Sequence, residues 1–248
     1  MFLIPVLLLA IFNCGVFGRA RWTEDQAKAW FNSQPYIMGT EYMASYAVNQ
    51  LEMFQAETFN PDLIDKELAL YGQLGMNTIR VFMIDLAYNI DPTGFKNRVN
   101  TLVEISAKYG IKPTLLFFTP SVIKNPTPGK QPKPDPGLVS SRWAETPSRD
   151  TLLNPSTWPQ LETYVKDVVG TFANDSRVLM WDIWNEPDSP WFLNATEMQF
   201  LNQAIPLAFE WARSMNPIQP LTSSIFHGLD GVTPMIQINN SDVVSFHK

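Results

Sequence analysis

A chain of 248 residues, 45% of them hydrophobic, is long enough to bury a sizeable core, and one large α/β domain fits that length. The net charge of −6, with lysines and arginines scattered along the chain, argues against nucleic acid or an anionic membrane surface as a partner. Eight Trp, seven Tyr and sixteen Phe are mostly core by expectation, although a surplus of Trp is also compatible with a cleft that stacks the apolar faces of sugar rings.

Residues 2–12, F-L-I-P-V-L-L-L-A-I-F, form an uncharged apolar run of the length expected of a signal-peptide core. Val16 and Gly18 are small enough for cleavage after Gly18, so residues 1–18 read as a signal peptide and the product as secreted. The run is short for a membrane span. Cys14, the single cysteine, falls inside it, which leaves the mature chain without a disulfide or a thiol nucleophile.

From residue 36 onward, short apolar runs alternate with amphipathic stretches. Tyr36–Met38 is a first strand candidate, leading into G-T-E-Y-M. Asn60 as N-cap and Pro61 in the first turn open a helix that carries Ile64, Leu68 and Tyr71 on one face. A strand is expected over residues 77–83, then a helix with Phe95, Val99, Leu102 and Val103, stopping at Gly110. Residues 112–118 are a further apolar strand. Seven of the twenty prolines then fall between Pro120 and Pro147, too dense for regular structure. Trp158, Leu161, Val165, Val168 and Phe172 mark the next helix, residues 177–184 a strand, and Met198, Leu201, Ile205 and Ala208 a helix running to about Ser214. Residues 220–226 and 242–246 complete six strand candidates. Strands separated by helices imply parallel pairing through right-handed crossovers, either in an open doubly wound sheet or in a closed eight-stranded barrel. The chain has no G-x-G-x-x-G and no phosphate-binding P-loop sequence, so the nucleotide-binding forms of the open sheet lose support.

The segment W-D-I-W-N-E-P, Trp181 to Pro187, carries the chemistry. An apolar strand ends there in Asn185 and Glu186, and the C-terminal ends of parallel barrel strands are where catalytic groups sit. Asn185 could hydrogen-bond a sugar hydroxyl while Pro187 turns the chain away.

With this segment in the fourth β/α unit, the sequence resembles the clan of retaining glycoside hydrolases on the (β/α)8 TIM barrel, the cellulase-, mannanase- and xylanase-like enzymes of the family-five type. The likeness extends over residues 22–248 and rests on N-Q-L-E-M-F at 49–54, G-M-N-T-I-R-V-F at 75–82, V-V-G-T-F-A-N-D-S-R-V-L-M-W-D-I-W-N-E-P at 168–187 and V-V-S-F-H at 243–247. It implies Glu186 as the acid/base, Arg80 as the arginine that orients the nucleophile, and His247 as the histidine beside the catalytic pair. Gln50 and Glu52 would line the cleft or belong to a solvated loop. Trp184 is either barrel packing or a sugar platform, and Trp191 and His227 are further cleft candidates. Two segments depart from the relatives: Ile84-Asp85 stands where His-Asp is common, and residues 119–122 where an Asp-Ser-Cys-Trp-like run is common. Substrate identity is therefore left open.

The implied reaction is hydrolysis of a β-linked glycan by double displacement, with a second carboxylate attacking from about 5–5.5 Å away. The relatives place that nucleophile on a seventh strand, so residues 19–248 read as about six of eight β/α units, truncated before strands seven and eight, and this piece alone is expected to be inactive. No cofactor, metal or obligate protein partner is called for; the partner is the carbohydrate. A non-catalytic carbohydrate-binding barrel is the alternative.

Overall fold

The computed structural model describes residues 18–189, 193–226 and 228–247. Most of the expected leader, with Cys14, and the cleft candidates Trp191 and His227 lie outside these residues.

Six strands run in chain order through one parallel sheet: β1 (Gly39–Tyr42), β2 (Thr78–Phe82), β3 (Lys112–Phe118), β4 (Met180–Asn185), β5 (Leu221–Ile225) and β6 (Ser245–Phe246). Each has its sequence neighbour as its sheet neighbour, which is the winding of a barrel and not of a doubly wound sheet. The sheet is curled. On a flat sheet β2 and β5 would stand about 14 Å apart, three strand spacings. Instead Arg80 on β2 donates directly to Ser224 on β5 at 3.0 Å. The expected fold, six units of a (β/α)8 barrel, is the observed one.

Helices return the chain between strands. In order they are α1 (Glu24–Ser33), α2 (Gln50–Phe54), α3 (Pro61–Gln73), α4 (Asp85–Ile90), α5 (Pro92–Lys108), α6 (Arg149–Leu152), α7 (Trp158–Phe172), α8 (Ala195–Ser214) and α9 (Val232–Asn240). The Asn60 side chain caps α3 by accepting from the Leu63 N–H, with Pro61 in the first turn as its sequence predicts. Along α7, Trp158, Leu161, Val165, Val168 and Phe172 are all buried. They pack with α8 and the outward-facing residues of β3 and β4, where the rings of Phe117 and Trp181 stack at 5.5 Å.

Five helices lie where the sequence reading expected none: the short α2, α4 and α6, and the longer α1 and α9. In α9 the buried residues are Thr233, Pro234 and Gln237, so the inner face is polar and small. In α1 nothing is buried, and its one sequence signal is the Thr23–Gln26 capping box. Three strands are displaced or shorter than expected: the first begins at Gly39 instead of Tyr36, the fourth at Met180 instead of Arg177, and the last is two residues long. Asp242, expected to open that last strand, uses its carboxylate at the base of the sheet. It accepts from Arg19 Nη2 at 2.5 Å and from the Trp22 and Leu221 N–H groups at 2.8 Å each.

Residues 119–148 contain no helix and no strand. Two isolated bridges, Thr119 with Thr146 and Ile123 with Ala144, fold this Pro-rich stretch back along the C-terminal end of β3.

Candidate active site

β4 and the residue that follows it deliver three functional positions, Asp182, Asn185 and Glu186. The register of β4 against β3 is regular, but against β5 it shifts, with Asp182 opposite Thr222 and Asn185 opposite Ser224. Side chains three apart on an even strand face opposite ways. The bulge turns both Asp182 and Asn185 to the inside, where one guanidinium meets them. Arg80 Nε and Nη2 donate to Asp182 Oδ2 at 3.0 and 2.8 Å, and Nη2 also donates to Asn185 Oδ1 at 2.7 Å. The Asn185 amide then donates to Thr119 Oγ1 at 3.1 Å, fixing which way the amide points.

Glu186, the next residue, has φ of +43°, a left-handed conformation that side chains beyond Gly, Asn and Asp seldom adopt. Its N–H donates to Ser224 O and its carbonyl accepts from Ser189 N–H, so the turn is held from both sides. The strain turns the side chain toward β6, where Glu186 Oε1 lies 2.5 Å from His247 Nδ1. His247 is in turn fixed by its N–H to Ile225 O at 2.8 Å. Such conformations persist where the surroundings impose them and cluster at active sites.

Below this rim the concave face of the sheet lines an open cavity of about 570 Å³, bordered by Glu41, Arg80, Asp182 and His247 and by the apolar Leu179, Met180 and Phe246. Two side-chain atoms of its wall, Asp182 Oδ1 and Thr222 Oγ1, are buried without a partner among the described residues. Arg80 closes a second ion pair here: Nη1 lies 2.5 Å from Glu41 Oε1 on β1.

No protein-family model and no curated protein matches the chain by sequence. Solved structures do match by shape. A β-1,4-mannanase from the common sea hare Aplysia kurodai superposes with a TM-score of 0.54 at 16% identity, over 79% of this chain and 61% of that one. A β-mannanase from the blue mussel Mytilus edulis gives 0.55 at 13% identity, over 85% and 69%. An exo-β-1,4-mannosidase from an Opitutaceae bacterium, strain TAV5, gives 0.55 at 18%, over 86% of this chain and 38% of that chain. The chain has the barrel fold of these glycosidases. It spans about three fifths of the sea hare enzyme's length and less than half of the bacterial one's.

On this barrel, four of the residues singled out from sequence come together: Arg80, Asn185, Glu186 and His247. Three do not. Gln50 is fully buried and exchanges two hydrogen bonds with the backbone of Ala144, at 3.0 and 3.1 Å, which ties the Pro-rich segment to the loop after β1. Glu52 folds back on its own helix start, accepting from Val48 N–H at 2.8 Å. It borders a separate cavity of about 370 Å³ with Gln55, Asp91, Arg98 and Gly129. Trp184 is 2% exposed and packs on the ring of Phe118 at 4.9 Å, so it offers no open face to a sugar. Glu41, Asp182 and Ser224, which the sequence reading did not single out, belong to the site. The available signal for Asp182 was a carboxylate inside an apolar strand.

Proposed function

We propose that this chain is the acid/base half of a retaining glycosidase barrel that cleaves β-linked glycans. The observation that carries the reading is the strained Glu186, 2.5 Å from His247 and following an Asn185 held by Arg80, all at the C-terminal rim of a parallel curled sheet. In this mechanism Glu186 gives its proton to the glycosidic oxygen as a second carboxylate attacks the anomeric carbon, and then takes a proton from the water that releases the sugar. His247 is placed to hold the carboxyl in line and to share its proton. Arg80 sets the Asn185 amide, leaving that side chain one free N–H for a sugar hydroxyl. The attacking carboxylate would come from a strand that follows β6.

The shared fold with β-mannanases supports a β-linked polysaccharide as substrate, and secretion, the expected outcome of a leader at residues 1–18, would place the enzyme where such polymers are met. The test is hydrolysis of β-mannan, β-glucan and aryl β-glycosides by the complete protein and by its Glu186→Gln variant. A fall of roughly 100-fold or more is expected from loss of a general acid. Equal rates in parent and variant would remove Glu186 from the reaction. Oligosaccharide binding by a complete protein without hydrolysis would favour the carbohydrate-binding barrel.

A further inference from the structure

One anchor of the Pro-rich segment also bears on Asn185. Thr119, just past the end of β3, exchanges both backbone hydrogen bonds with Thr146, at 2.7 and 3.0 Å. Its hydroxyl donates to Pro120 O at 3.0 Å, so the lone pairs of Oγ1 are left to accept, and they take an Asn185 Nδ2 proton at 3.1 Å. Thr146 in turn spends its own hydroxyl on Asp85 Oδ1, at 2.8 Å. Asp85, Thr146, Thr119 and Asn185 are all buried, where hydrogen bonds are stronger than in water. A continuous run of hydrogen bonds therefore joins a carboxyl at the start of α4 to the amide beside Glu186.

The carboxyl at the far end of this run is unlike its neighbours at the rim. Asp182 is paired with Arg80 and Glu145 with Arg149, whereas Asp85 has the Thr146 hydroxyl and no cation as partner among the described residues. The titratable groups that face it are phenols. Tyr164 comes from α7, with a hydroxyl that has no partner among the described residues. Tyr88, on α4 itself, donates to Asp167 at 2.8 Å, and Lys96 of α5 pairs with the same aspartate. On the other elements packed against α4 the charged groups are engaged elsewhere: Glu52 of α2 accepts from Val48 N–H, and Arg98 of α5 donates to Asp91 and Phe54 O. Burial raises the Asp85 carboxyl to about 6. A neutral acid can do without the Thr146 hydroxyl. A buried carboxylate depends on it, together with the backbone N–H groups at the start of α4, because an unpaired charge in such a place is costly.

We infer that Asp85 is a positioning residue for Asn185: loss of its proton draws in the Thr146 hydroxyl and, through the paired backbones of Thr146 and Thr119, tightens the acceptor that holds the Asn185 amide. The inference rests on the glycosidase reading above only for the use of Asn185, whose second N–H is the one left for a sugar hydroxyl. It adds a pH-dependent control of that contact, exerted from beneath the Pro-rich segment.

The experiment follows the side-chain amide of Asn185 by proton–nitrogen correlation spectra of the isotope-labelled 248-residue chain, its pair of signals being recognised by their loss in Asn185→Asp. Spectra are taken from about pH 4.5 to about pH 8, a range that spans both protonation states of the buried acid. The parent should show a titration of the Asn185 signals with a midpoint of about 6. That titration should vanish in Asp85→Asn and in Thr146→Val, and persist in Thr146→Ser, which keeps the hydroxyl. If Thr146→Val does not fold, the contrast between Asp85→Asn and Thr146→Ser decides. Signals that hold still in the parent, or a titration that persists undiminished in Asp85→Asn, overturn the inference. A titration lost in Asp85→Asn but kept in Thr146→Val means that the charge acts through space, and it overturns the route through Thr146 and Thr119. None of these readouts needs catalysis. Their failure leaves the glycosidase reading standing, and equal rates in the Glu186→Gln test would leave the link between Asp85 and Asn185 standing.

Discussion

The two ends of the sheet each centre on a buried aspartate paired with arginine, and they are finished differently. At the base, Asp242 is fully buried and both oxygens are occupied: Oδ1 takes the Trp22 N–H and Arg213, and Oδ2 takes Arg19 and the Leu221 N–H. At the C-terminal rim, Asp182 gathers Arg80 and Ser224 on Oδ2 alone and leaves Oδ1 without a partner, while Glu186 next to it sits at positive φ. Folding alone would reward completing both. The base joins the start of the chain to the start of β5 and pairs both oxygens of its aspartate, although Arg213 Nε there is buried without a partner among the described residues, whereas one oxygen of the rim aspartate is left unpaired.

The largest way to break this contrast is Asp242→Ala. Removing one partner from a buried pair strands the charges of Arg19 and Arg213, so urea unfolding at neutral pH should show a loss of about 3–5 kcal/mol. Burial pushes the Asp242 carboxyl up, but Arg19 and the two backbone N–H groups outweigh it and hold the value below 3.8. Its contribution is therefore present above the unfolded value and lost as pH falls through the lower folded one, so the variant should approach the parent in acid. A cost under about 1 kcal/mol would put the base on the footing of an exposed ion pair.

Asp85, at the rim end of β2, sharpens the comparison through pH. Burial raises it from 3.8 to about 6, against the lowering effect of the Thr146 hydroxyl and nearby backbone N–H groups. A raised folded value means that the native state favours the protonated form. Stability should then fall as pH rises from 3.8 to about 6 and stay lower above it, by roughly 3 kcal/mol for the full window. Asp85→Asn should flatten that part of the profile and be at least as stable as the parent at pH near 8. Denaturation midpoints across pH for the two proteins give the answer, and parallel curves would exclude Asp85 as the cause.

Asp182→Asn is expected to cost less than the Asp242 change, about 1–3 kcal/mol, because Arg80 keeps Glu41 as a counter-charge and the amide can place its own donor on the vacant side. Equal losses at 182 and 242 would erase the distinction between base and rim. The smallest effect is at Glu186 itself. Glycine adopts φ of +43° freely, so Glu186→Gly should gain about 1 kcal/mol in thermal unfolding while abolishing the proposed chemistry. A destabilised glycine variant would mean that the His247 contact outweighs the backbone strain.

The route from sequence to site was uneven for physical reasons. Glu186 and Asn185 could be singled out because they end an apolar run, and Arg80 and His247 because of the likeness to related barrels. Gln50 and Glu52 lie in a stretch with the same likeness, yet their side chains turn to the backbone of the Pro-rich segment and to a helix start. Hydrogen bonds across 94 residues of chain leave no mark in local pattern.

By itself, the sequence determined the alternation of buried strands and amphipathic helices, hence the parallel winding, and the position of a carboxylate at the end of the fourth strand. Those features are local, since periodicity and strand exits are properties of neighbouring residues. The tertiary structure alone decided which polar groups share one cavity. The shift of β4 against β5 turns Asp182 and Asn185 to the same side, and the curl of the sheet brings β2 within reach of β5. Glu41 joins them only because β1 lies beside β2 in register, and pairing between distant strands is set by the packing of the whole sheet.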